Sequence, residues 1–367
     1  MKLQDVCHFI VDCPHSTAPD EGTGIPLIRT PNIGYGRFNL EGVHRVSEKV
    51  YQARCARAVP QNDDIIFARE APAGNAAIIK NNEKMCLGQR TVLIRPNPEK
   101  VCPDFLVYYL LASEQQYKLL GTANGATVAH VNLPTIREMN VDNLPQLEVQ
   151  HKIAGILSAY DDLIENNRKQ IKLLEEAAQR LYKEWFIDLR FPGYETTPIV
   201  NGIPSGWEKT LLGNLIEIKY GKDHKNIPDG DIPVYGSGGF MRKCSRALHD
   251  GEAVLIPRKG SLNNIMYVNE TFWTVDTMFY ALMKQQNIGF FTYFLLKSFD
   301  MYAMNIGAAV PSMTTSILNA IDVVLPSAIV LEKFHRNINV LFKRISTMNK
   351  QNDNLMETRD RLLTKLL

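Results

Sequence analysis

The sequence predicts an α+β fold in which two pseudo-symmetric mixed α/β globules are separated by two long helices that pair as an antiparallel coiled coil. Three observations support this fold class. Residues 144–186 and 325–367 each open with Leu-Pro and carry an unbroken heptad of mainly apolar positions. A segment of short β-prone runs and turn residues precedes each of them, and these runs recur in the same order. The duplication therefore covers the whole 367-residue sequence.

The repeat divides the chain into five predicted segments. A first globule spans 1–147, and a long spacer helix spans 148–190. The linker 191–206 is rich in Pro, Gly and Thr, which favours a flexible connection. A second globule spans 207–327, and a second long helix spans 328–367. A chain of this length comfortably holds two domains that each bury a core.

Composition excludes several classes of protein. The formal net charge is only +2, and residues 1–147 carry 15 basic and 15 acidic side chains. Any nucleic-acid surface must therefore be a local patch rather than a domain-wide positive field. No apolar run reaches the roughly 18 residues of a membrane span, and the six cysteines form no CxxC pair. A reducing cytoplasmic location without membrane contact is expected.

The first globule is predicted from its alternation of apolar runs and turn residues. Four runs are rich in Val, Ile, Ala and Phe, and their bounding turns favour strands. A helix with its aromatic residues on one face is predicted at Asp104–Gln116, and a Gly/Thr/Asn loop at Gly121–Val131. The four predicted strands are Ile25–Arg29, Asp64–Ala68, Ala76–Lys80 and Thr91–Arg95.

The second globule repeats this order at offsets between about 181 and 207 positions. The run Ile232–Tyr235 is matched to Ile25–Ile28, and the loop Gly307–Val310 is matched to Gly125–Val128. Phe290–Leu296 is matched to the predicted helix of the first globule. The remaining predicted strands are Ala253–Ile256, Asn264–Val268 and Phe279–Met283.

Each heptad stripe predicts a helix about 50 Å long, at about 1.5 Å per residue. Two stripes joined through a globule and a flexible linker pair most simply in antiparallel fashion. The numbers of facing residues then add up to 519, which places Asn167 against Asn352 as a buried amide pair that fixes register. The alternative is that Asn167 lies at a fray or a kink. The seam positions are Ile153, Leu157, Tyr160, Ile164, Asn167, Ile171, Leu174, Ala178, Leu181, Trp185, Phe334, Ile338, Leu341, Ile345, Met348, Asn352, Leu355, Arg359, Leu362 and Leu366.

The sequence carries no recognised catalytic motif. Walker, Rossmann, GxSxG and HExxH patterns are missing, as is the Asn/Asp-Pro-Pro-Tyr/Phe motif of adenine methyltransferases. Cys7, His8, Cys13 and His15 could each bind a metal, but their spacing fits no usual zinc site, so buried structural thiols are the favoured interpretation. We therefore predict no catalytic residue, cofactor or metal site in this chain.

Two pairs of adjacent carboxylates could suggest acid–base catalysis. Asp63-Asp64 follows a polar stretch and is interpreted as part of a turn. Asp161-Asp162 lies within a predicted long helix and is interpreted as a solvated helix face.

Polar, glycine-containing loops at equivalent places in the two globules hold the candidate DNA-binding residues. Arg, Lys, Asn and Ser reach base edges and phosphates, and glycines allow close backbone approach. Ordinary solvated loops explain any single residue equally well, but recurrence of both loops in both halves favours a shared surface. The candidates are Arg29, Asn32, Tyr35, Arg37, Arg69, Asn75, Arg90, Tyr235, Ser237, Arg242, Lys243, Arg258, Lys259, Asn263 and Asn264, beside which Thr30, Glu70 and Gln89 also lie.

Particular motifs resemble the specificity subunit of type I restriction-modification systems. They are the Leu-Pro before each helix, Gln150–Leu157 (QHKIAGIL), Leu163–Leu174 (LIENNRKQIKLL), Leu181–Phe186 (LYKEWF) and the restart Pro204–Trp207 (PSGW). The resemblance covers essentially the full length. It implies a non-catalytic subunit in which each globule is a target recognition domain that reads one half of a bipartite, asymmetric double-stranded DNA target.

The resemblance also implies partners. The paired helices would set the gap between the half-sites and dock two methyltransferase subunits, in which S-adenosylmethionine is expected. Motor-nuclease restriction subunits would complete the restriction enzyme. The second helix keeps the heptad without the wording IAGILSAYDDLIENN of the first, so weaker or different docking contacts are expected there. The competing hypothesis is a coiled-coil assembly scaffold with protein-binding globules, which would lack the steep salt dependence of DNA binding.

Overall fold

The computed structural model describes residues 1–121, 130–304 and 312–367. The predicted loops at Gly121–Val131 and Gly307–Val310 therefore lie wholly or mostly outside the described residues. The chain forms two compact units, of which the first comprises Met1–Lys169 and Met348–Leu367 and the second Gln170–Thr347. Within the described ranges, no helix is long and apolar enough to cross a membrane.

The helices confirm the two long heptad segments. Shorter helices belong to the globules, and a π-helical turn at Lys183–Ile187 follows the first long helix. In chain order the helices are α1 (Glu48–Arg54), α2 (Pro103–Leu111), α3 (Ser113–Leu120), α4 (Leu133–Glu138), α5 (Leu147–Tyr182), α6 (Leu212–Leu215), α7 (Gly289–Lys297), α8 (Thr315–Asn319) and α9 (Ala328–Leu366).

The first unit is built on a five-stranded sheet in the order β1-β8-β5-β6-β3, with a smaller sheet β4-β2-β7 beside it. The central strand β5 is buried at every position, which explains its continuous apolar run. Side chains of α2 pack against this sheet in one core with Phe67 and Phe105. The strands are β1 (Cys7–Asp12), β2 (Ile25–Ile28), β3 (Tyr35–Gly36), β4 (His44–Val46), β5 (Ile65–Ala68), β6 (Ala76–Ile78), β7 (Cys86–Leu87) and β8 (Thr91–Pro96).

The second unit is built on a six-stranded sheet in the order β12-β17-β15-β16-β13-β14. Two short pairs, β9 with β10 and β11 with β18, accompany it. The strand predicted at Asn264–Val268 begins at Met266, so Asn264 lies in the preceding loop. The strands are β9 (Ile199–Val200), β10 (Ile203–Pro204), β11 (Glu208–Leu211), β12 (Ile216–Tyr220), β13 (Ile232–Gly236), β14 (Gly239–Cys244), β15 (His249–Pro257), β16 (Met266–Thr274), β17 (Met278–Met283) and β18 (Asp322–Leu325).

Strand pairing confirms the predicted match of Ile232–Tyr235 with Ile25–Ile28. β13 pairs in parallel with β16, where Tyr235 faces Thr274, and β2 pairs in parallel with β7, where Ile28 faces Leu87. The residue after each partner makes the same hydrogen bond, because the Val275 N–H donates to the Tyr235 carbonyl and the Gly88 N–H donates to the Ile28 carbonyl. β2 lies in the smaller sheet because the first unit has two short strands, β6 and β7, where the second unit has the single long strand β16.

The helix predicted at Asp104–Gln116 is also corrected. Ala112 has an extended backbone, with φ −63° and ψ 143°, and separates α2 from α3. From Phe105 to Leu111 every residue of α2 is buried. This helix is apolar all round because it lies inside the core, so its predicted amphipathic face is wrong.

Contacts within each unit confirm the predicted register of the long helices. In the first unit, the Asn167 side-chain amide donates to the Asn352 oxygen at 3.0 Å. In the second unit, the rings of Trp185 and Phe334 lie 5.8 Å apart. In both pairs the two residue numbers add up to 519. α5 continues well past Asn167, so this residue lies at neither a helix end nor a fray.

The interpretation of Asp161-Asp162 as a solvated helix face is wrong for Asp161. Its side chain is only 3% exposed, and its carboxylate accepts hydrogen bonds at 2.5 Å from the Arg359 guanidinium and from the Tyr108 hydroxyl. Arg359 is itself a seam residue of α9. A charge is accommodated at this seam position because a buried partner of opposite charge faces it.

The interpretation of Asp63-Asp64 as a turn holds only for Asp63. Asp63 has a left-handed backbone with φ 68°, as turn residues often do. Asp64 is buried, and its two carboxylate oxygens accept from the Arg95 guanidinium at 2.8 and 2.7 Å. Its role is therefore structural.

Candidate nucleic-acid interface

The loop between β5 and β6 is fastened by Arg69. The Arg69 guanidinium donates to both carboxylate oxygens of Asp12 at 3.0 and 2.8 Å and to the Val131 carbonyl at 2.9 Å. A further nitrogen lies 3.0 Å from the His130 ring. Only 8% of Arg69 is exposed. The structure therefore uses this candidate residue to hold three segments of the loop surface together.

The same backbone arrangement recurs in the second unit. The Val131 N–H donates to the Arg69 carbonyl at 3.0 Å, and the Met313 N–H donates to the Arg258 carbonyl at 2.9 Å. The Arg69 N–H donates to the Arg90 carbonyl, and the Arg258 N–H donates to the Thr277 carbonyl. The recurrence expected from the sequence is therefore present as matched hydrogen bonds, and Arg258 is the counterpart of Arg69.

The candidates between β2 and β3 shape a tight turn. The Asn32 side chain accepts from the Arg29 N–H at 3.1 Å and donates to the Asn39 carbonyl at 3.2 Å, and it is buried. Asn75 donates to the Ile33 carbonyl at 2.9 Å. Arg29 has a buried Nε that no described residue pairs. Asn32 and Asn75 thus organise the loop backbone.

Tyr35 and Arg37 dock this turn onto other elements of the first unit. The Tyr35 hydroxyl donates to the Leu111 carbonyl at 2.7 Å, and its ring lies 5.1 Å from the Arg359 guanidinium. Arg37 donates to the Asp162 carboxylate of α5 at 2.8 Å. These residues therefore connect the globule to both long helices within this unit, a role that local sequence patterns did not reveal.

The hairpin of β13 and β14 is held by Arg242. Its guanidinium donates to the carbonyls of His224 and Ile227 at 2.5 and 2.8 Å and pairs with Asp229 at 2.8 Å. Tyr235, on the facing strand, donates to the Glu270 carboxylate at 2.5 Å. Arg242 is thus a structural clamp for the hairpin at the edge of the six-stranded sheet.

The structure brings the two predicted loops of the second unit together. The Asn264 side chain donates to the Ser237 carbonyl at 2.8 Å, and the Asn263 side-chain oxygen accepts from the Met301 N–H at 2.8 Å. Gly260 has φ +84°, a backbone conformation that favours glycine, and a Cβ there would lie 2.7 Å from the Ser237 hydroxyl. A side chain at this position would therefore crowd Ser237. The loops form one surface.

Basic side chains remain exposed on this surface. Lys243 and Lys259 are exposed, and Arg258 is partly exposed with its guanidinium 5.5 Å from the Tyr220 ring. A cleft of about 420 Å³ beside them is lined by the Gly236–Gly239 loop, His224, Lys225 and Thr277 among others. Basic side chains around a glycine-lined cleft are suited to phosphate and base-edge contacts.

Two exposed apolar residues at the same hairpin were missed from the sequence. Phe240 is 58% exposed and Met241 is 53% exposed. The strand register shifts here, because Tyr235 faces Phe240 while Val234 faces Arg242, and this β-bulge turns both side chains outwards. An apolar pair directly after Gly-Gly in a predicted hairpin was the available signal.

Arg90 is a largely exposed candidate in the first unit. Its side chain is 62% exposed and pairs with the Glu70 carboxylate at 2.5 Å. Glu70 in turn contacts the His130 ring at 2.7 Å. Arg90 has a left-handed backbone with φ 64°, an uncommon conformation for a long side chain.

The cysteine and histidine residues near residue 10 are not grouped as metal ligands usually are. Among the residues that the structure describes, no group of three or more metal-binding side chains comes together. Cys13 is buried, and His15 lies 3.3 Å from the Asp12 carboxylate. Burial raises the pKa of the Cys7 thiol to about 12, so this thiol is protonated and unreactive at neutral pH.

Comparisons with known proteins show which proteins this chain is similar to. A family model described as the type I restriction modification DNA specificity domain matches residues 1–176 and 204–355. The chain is 26% identical to the type I restriction enzyme MjaIX specificity subunit of Methanocaldococcus jannaschii, over 100% of this chain and 91% of that protein. It is 20% identical to the HindI specificity subunit of Haemophilus influenzae, over 94% and 93%. The crystal structure of the S subunit of a type I restriction-modification system from M. genitalium matches with a TM-score of 0.58 at 18% identity, over 100% and 95%, which shows the fold alone.

Proposed function

Since the chain belongs to the family of type I restriction modification DNA specificity domains, we propose that it is the non-catalytic DNA-recognition subunit of such a system. Each globule reads one half of a bipartite, asymmetric double-stranded DNA target. The enzymatic steps belong to partner subunits.

The observation that carries this proposal is the matched pair of loop surfaces. In both units the carbonyl of the loop arginine, Arg69 or Arg258, accepts from a segment beyond the core helix. The loops share this frame but differ in side chains, since Arg90 of the first unit corresponds to Thr277 of the second. A shared scaffold with different exposed side chains is what two readers of different half-sites require.

We also propose that α5 and α9 pair as an antiparallel coiled coil and set the distance between the half-sites. The Asn167–Asn352 hydrogen bond supports this pairing in the first unit, and the Trp185–Phe334 contact supports it in the second. Every seam position is buried or partly buried, as coiled-coil packing requires.

A second apolar stripe on α5 supports docking of a methyltransferase subunit. Val149, Ile156 and Leu163 recur every seven residues and are 42%, 47% and 52% exposed. Exposed apolar residues at heptad spacing suit a partner helix. Two methyltransferase subunits, which would hold S-adenosylmethionine, and motor-nuclease subunits are the proposed partners. At the matching positions of α9, Asn337 and Arg344 replace Ile156 and Leu163, so docking contacts there differ.

Segment exchange tests the two-reader proposal. Residues 207–325 are replaced by the equivalent segment of a related specificity subunit, and methylated positions are sequenced in cells that express the whole system. One half of the methylated target should change and the other half should persist. The reciprocal exchange of residues 1–147 is the matched control and should change the other half only. A change in both halves, or in neither, contradicts the proposal.

A further inference from the structure

A series of interacting charged and polar side chains runs from the sheet of the first unit to its surface. Asp12 on β1 pairs with Arg69 at 2.8 Å, and Arg69 contacts His130 at 3.0 Å. His130 contacts Glu70 at 2.7 Å, and Glu70 pairs with Arg90 at 2.5 Å. The residues come from separate segments of the chain. The Arg69 side chain is the least exposed of the series at 10%, and the Arg90 side chain is the most exposed at 62%.

The chemistry of the side chains fixes which atom donates and which accepts in each hydrogen bond of this series. A guanidinium can only donate, so the Nε2 of His130 accepts from Arg69. The Nδ1 of the neutral ring then carries the hydrogen and donates to one Glu70 oxygen. The other Glu70 oxygen accepts from Arg90. Each group thereby orients the next, and the outermost member is the Arg90 guanidinium.

The backbone of Arg90 is fixed as well. Its carbonyl accepts from the Arg69 N–H at 2.9 Å, and its φ of 64° places it in a region that long side chains seldom occupy. Such conformations persist where surrounding contacts enforce them, and they cluster at functional sites. The side chain is therefore held at both ends while most of its surface faces solvent.

We propose that Arg90 reads a guanine in the first half-site and that Glu70 is its positioning residue. This inference rests on the proposed function. An arginine fork can donate to O6 and N7 of guanine together, and that contact depends on orientation in a way that a phosphate contact does not. Pre-orientation by Glu70 lowers the ordering cost of binding. The counterpart in the second unit is Thr277, so the guanine contact belongs to the first half-site alone.

Selection from a pool of randomised DNA duplexes tests the proposal with the assembled methyltransferase complex. The variants are Arg90→Gln, Arg90→Lys and Glu70→Gln, and Lys49→Gln, which removes an exposed charge on the same unit, is the matched control. Arg90→Gln should lower the preference for guanine at one position of the first half-site about tenfold or more. Arg90→Lys should not restore it, because a point charge lacks the fork. Glu70→Gln should weaken the same position by a smaller factor.

The outcomes separate the inference from the proposed function. If the unmodified complex selects no consensus, the proposed function fails. If the consensus is present but Arg90→Gln leaves every position unchanged, the guanine assignment is overturned. A uniform loss of affinity with a shallower salt dependence, restored by Arg90→Lys, would identify a phosphate contact and overturn it too. Arg90 is largely exposed, so its variants should fold, and equal melting temperatures verify this.

Discussion

Replacing Arg359 with Met should destabilise the first unit by about 3 to 4 kcal/mol at pH 7. Arg359 and Asp161 are 9% and 3% exposed at their side chains, so the substitution leaves a buried carboxylate whose remaining hydrogen bond from a described residue comes from the Tyr108 hydroxyl. Breaking a buried ion pair by removing one partner costs about 3 to 5 kcal/mol. Burial lowers the pKa of Arg359, but the carboxylates of Asp161 and Asp360 together outweigh it and raise the pKa of this guanidinium.

An upper limit on this loss comes from protonation. A buried carboxyl group without a cation can take up a proton instead of remaining charged. For an ordinary aspartic acid this costs about 4 kcal/mol at pH 7 and about 1.5 kcal/mol at pH 5. The destabilisation by Arg359→Met should therefore shrink as the pH falls from 7 to 5.

The second unit indicates which change should rescue the variant. At the position that matches Asp161 it carries Phe342, whose ring lies 4.8 Å from Phe290. The second unit thus has a packed apolar side chain at this position of its long helix. The double variant Asp161→Leu with Arg359→Met should recover most of the lost stability, because no unpaired charge stays buried.

Urea unfolding followed by circular dichroism measures the loss, and hydrogen exchange locates it. Exchange in α2 should accelerate about a hundredfold or more. Arg361→Met is the matched control, since Arg361 is 75% exposed and pairs with Glu357, which is 61% exposed. It should change stability by less than about 0.5 kcal/mol. A loss below about 1 kcal/mol for Arg359→Met, a loss independent of pH, or a double variant as unstable as the single one would refute the reasoning.

Three further predictions concern other parts of the chain. Replacing both Asn167 and Asn352 with Leu should raise the melting temperature and loosen the register, and a lower melting temperature would contradict the register role. Lys259→Ala should weaken DNA binding by the assembled complex and reduce its salt slope by about one without changing the melting temperature, whereas Arg69→Ala should destabilise the chain by at least about 2 kcal/mol. Burial raises the pKa of the Cys86 thiol from 9.0 to about 12. Unfolding therefore releases a proton above pH 9, and stability should fall from there towards pH 12, less steeply in Cys86→Ala.

The sequence by itself determined the long helices and their register. A heptad depends only on spacing along one helix, and the two stripes have equal length, so the facing positions follow from counting. The prediction of Asn167 against Asn352 needed no tertiary information. Strands such as β5 and β17 were likewise predictable, because continuous apolar runs bounded by turns have few other solutions.

Only the tertiary structure decided the roles of the polar residues. Arg69 and Arg90 look alike in the sequence, yet one is buried beside Asp12 and the other is exposed. Asp161 looks like a surface carboxylate until Arg359, 198 positions away, is placed beside it. A charged side chain is structural or available for binding according to its partners, and those partners come from distant segments that local periodicity cannot identify.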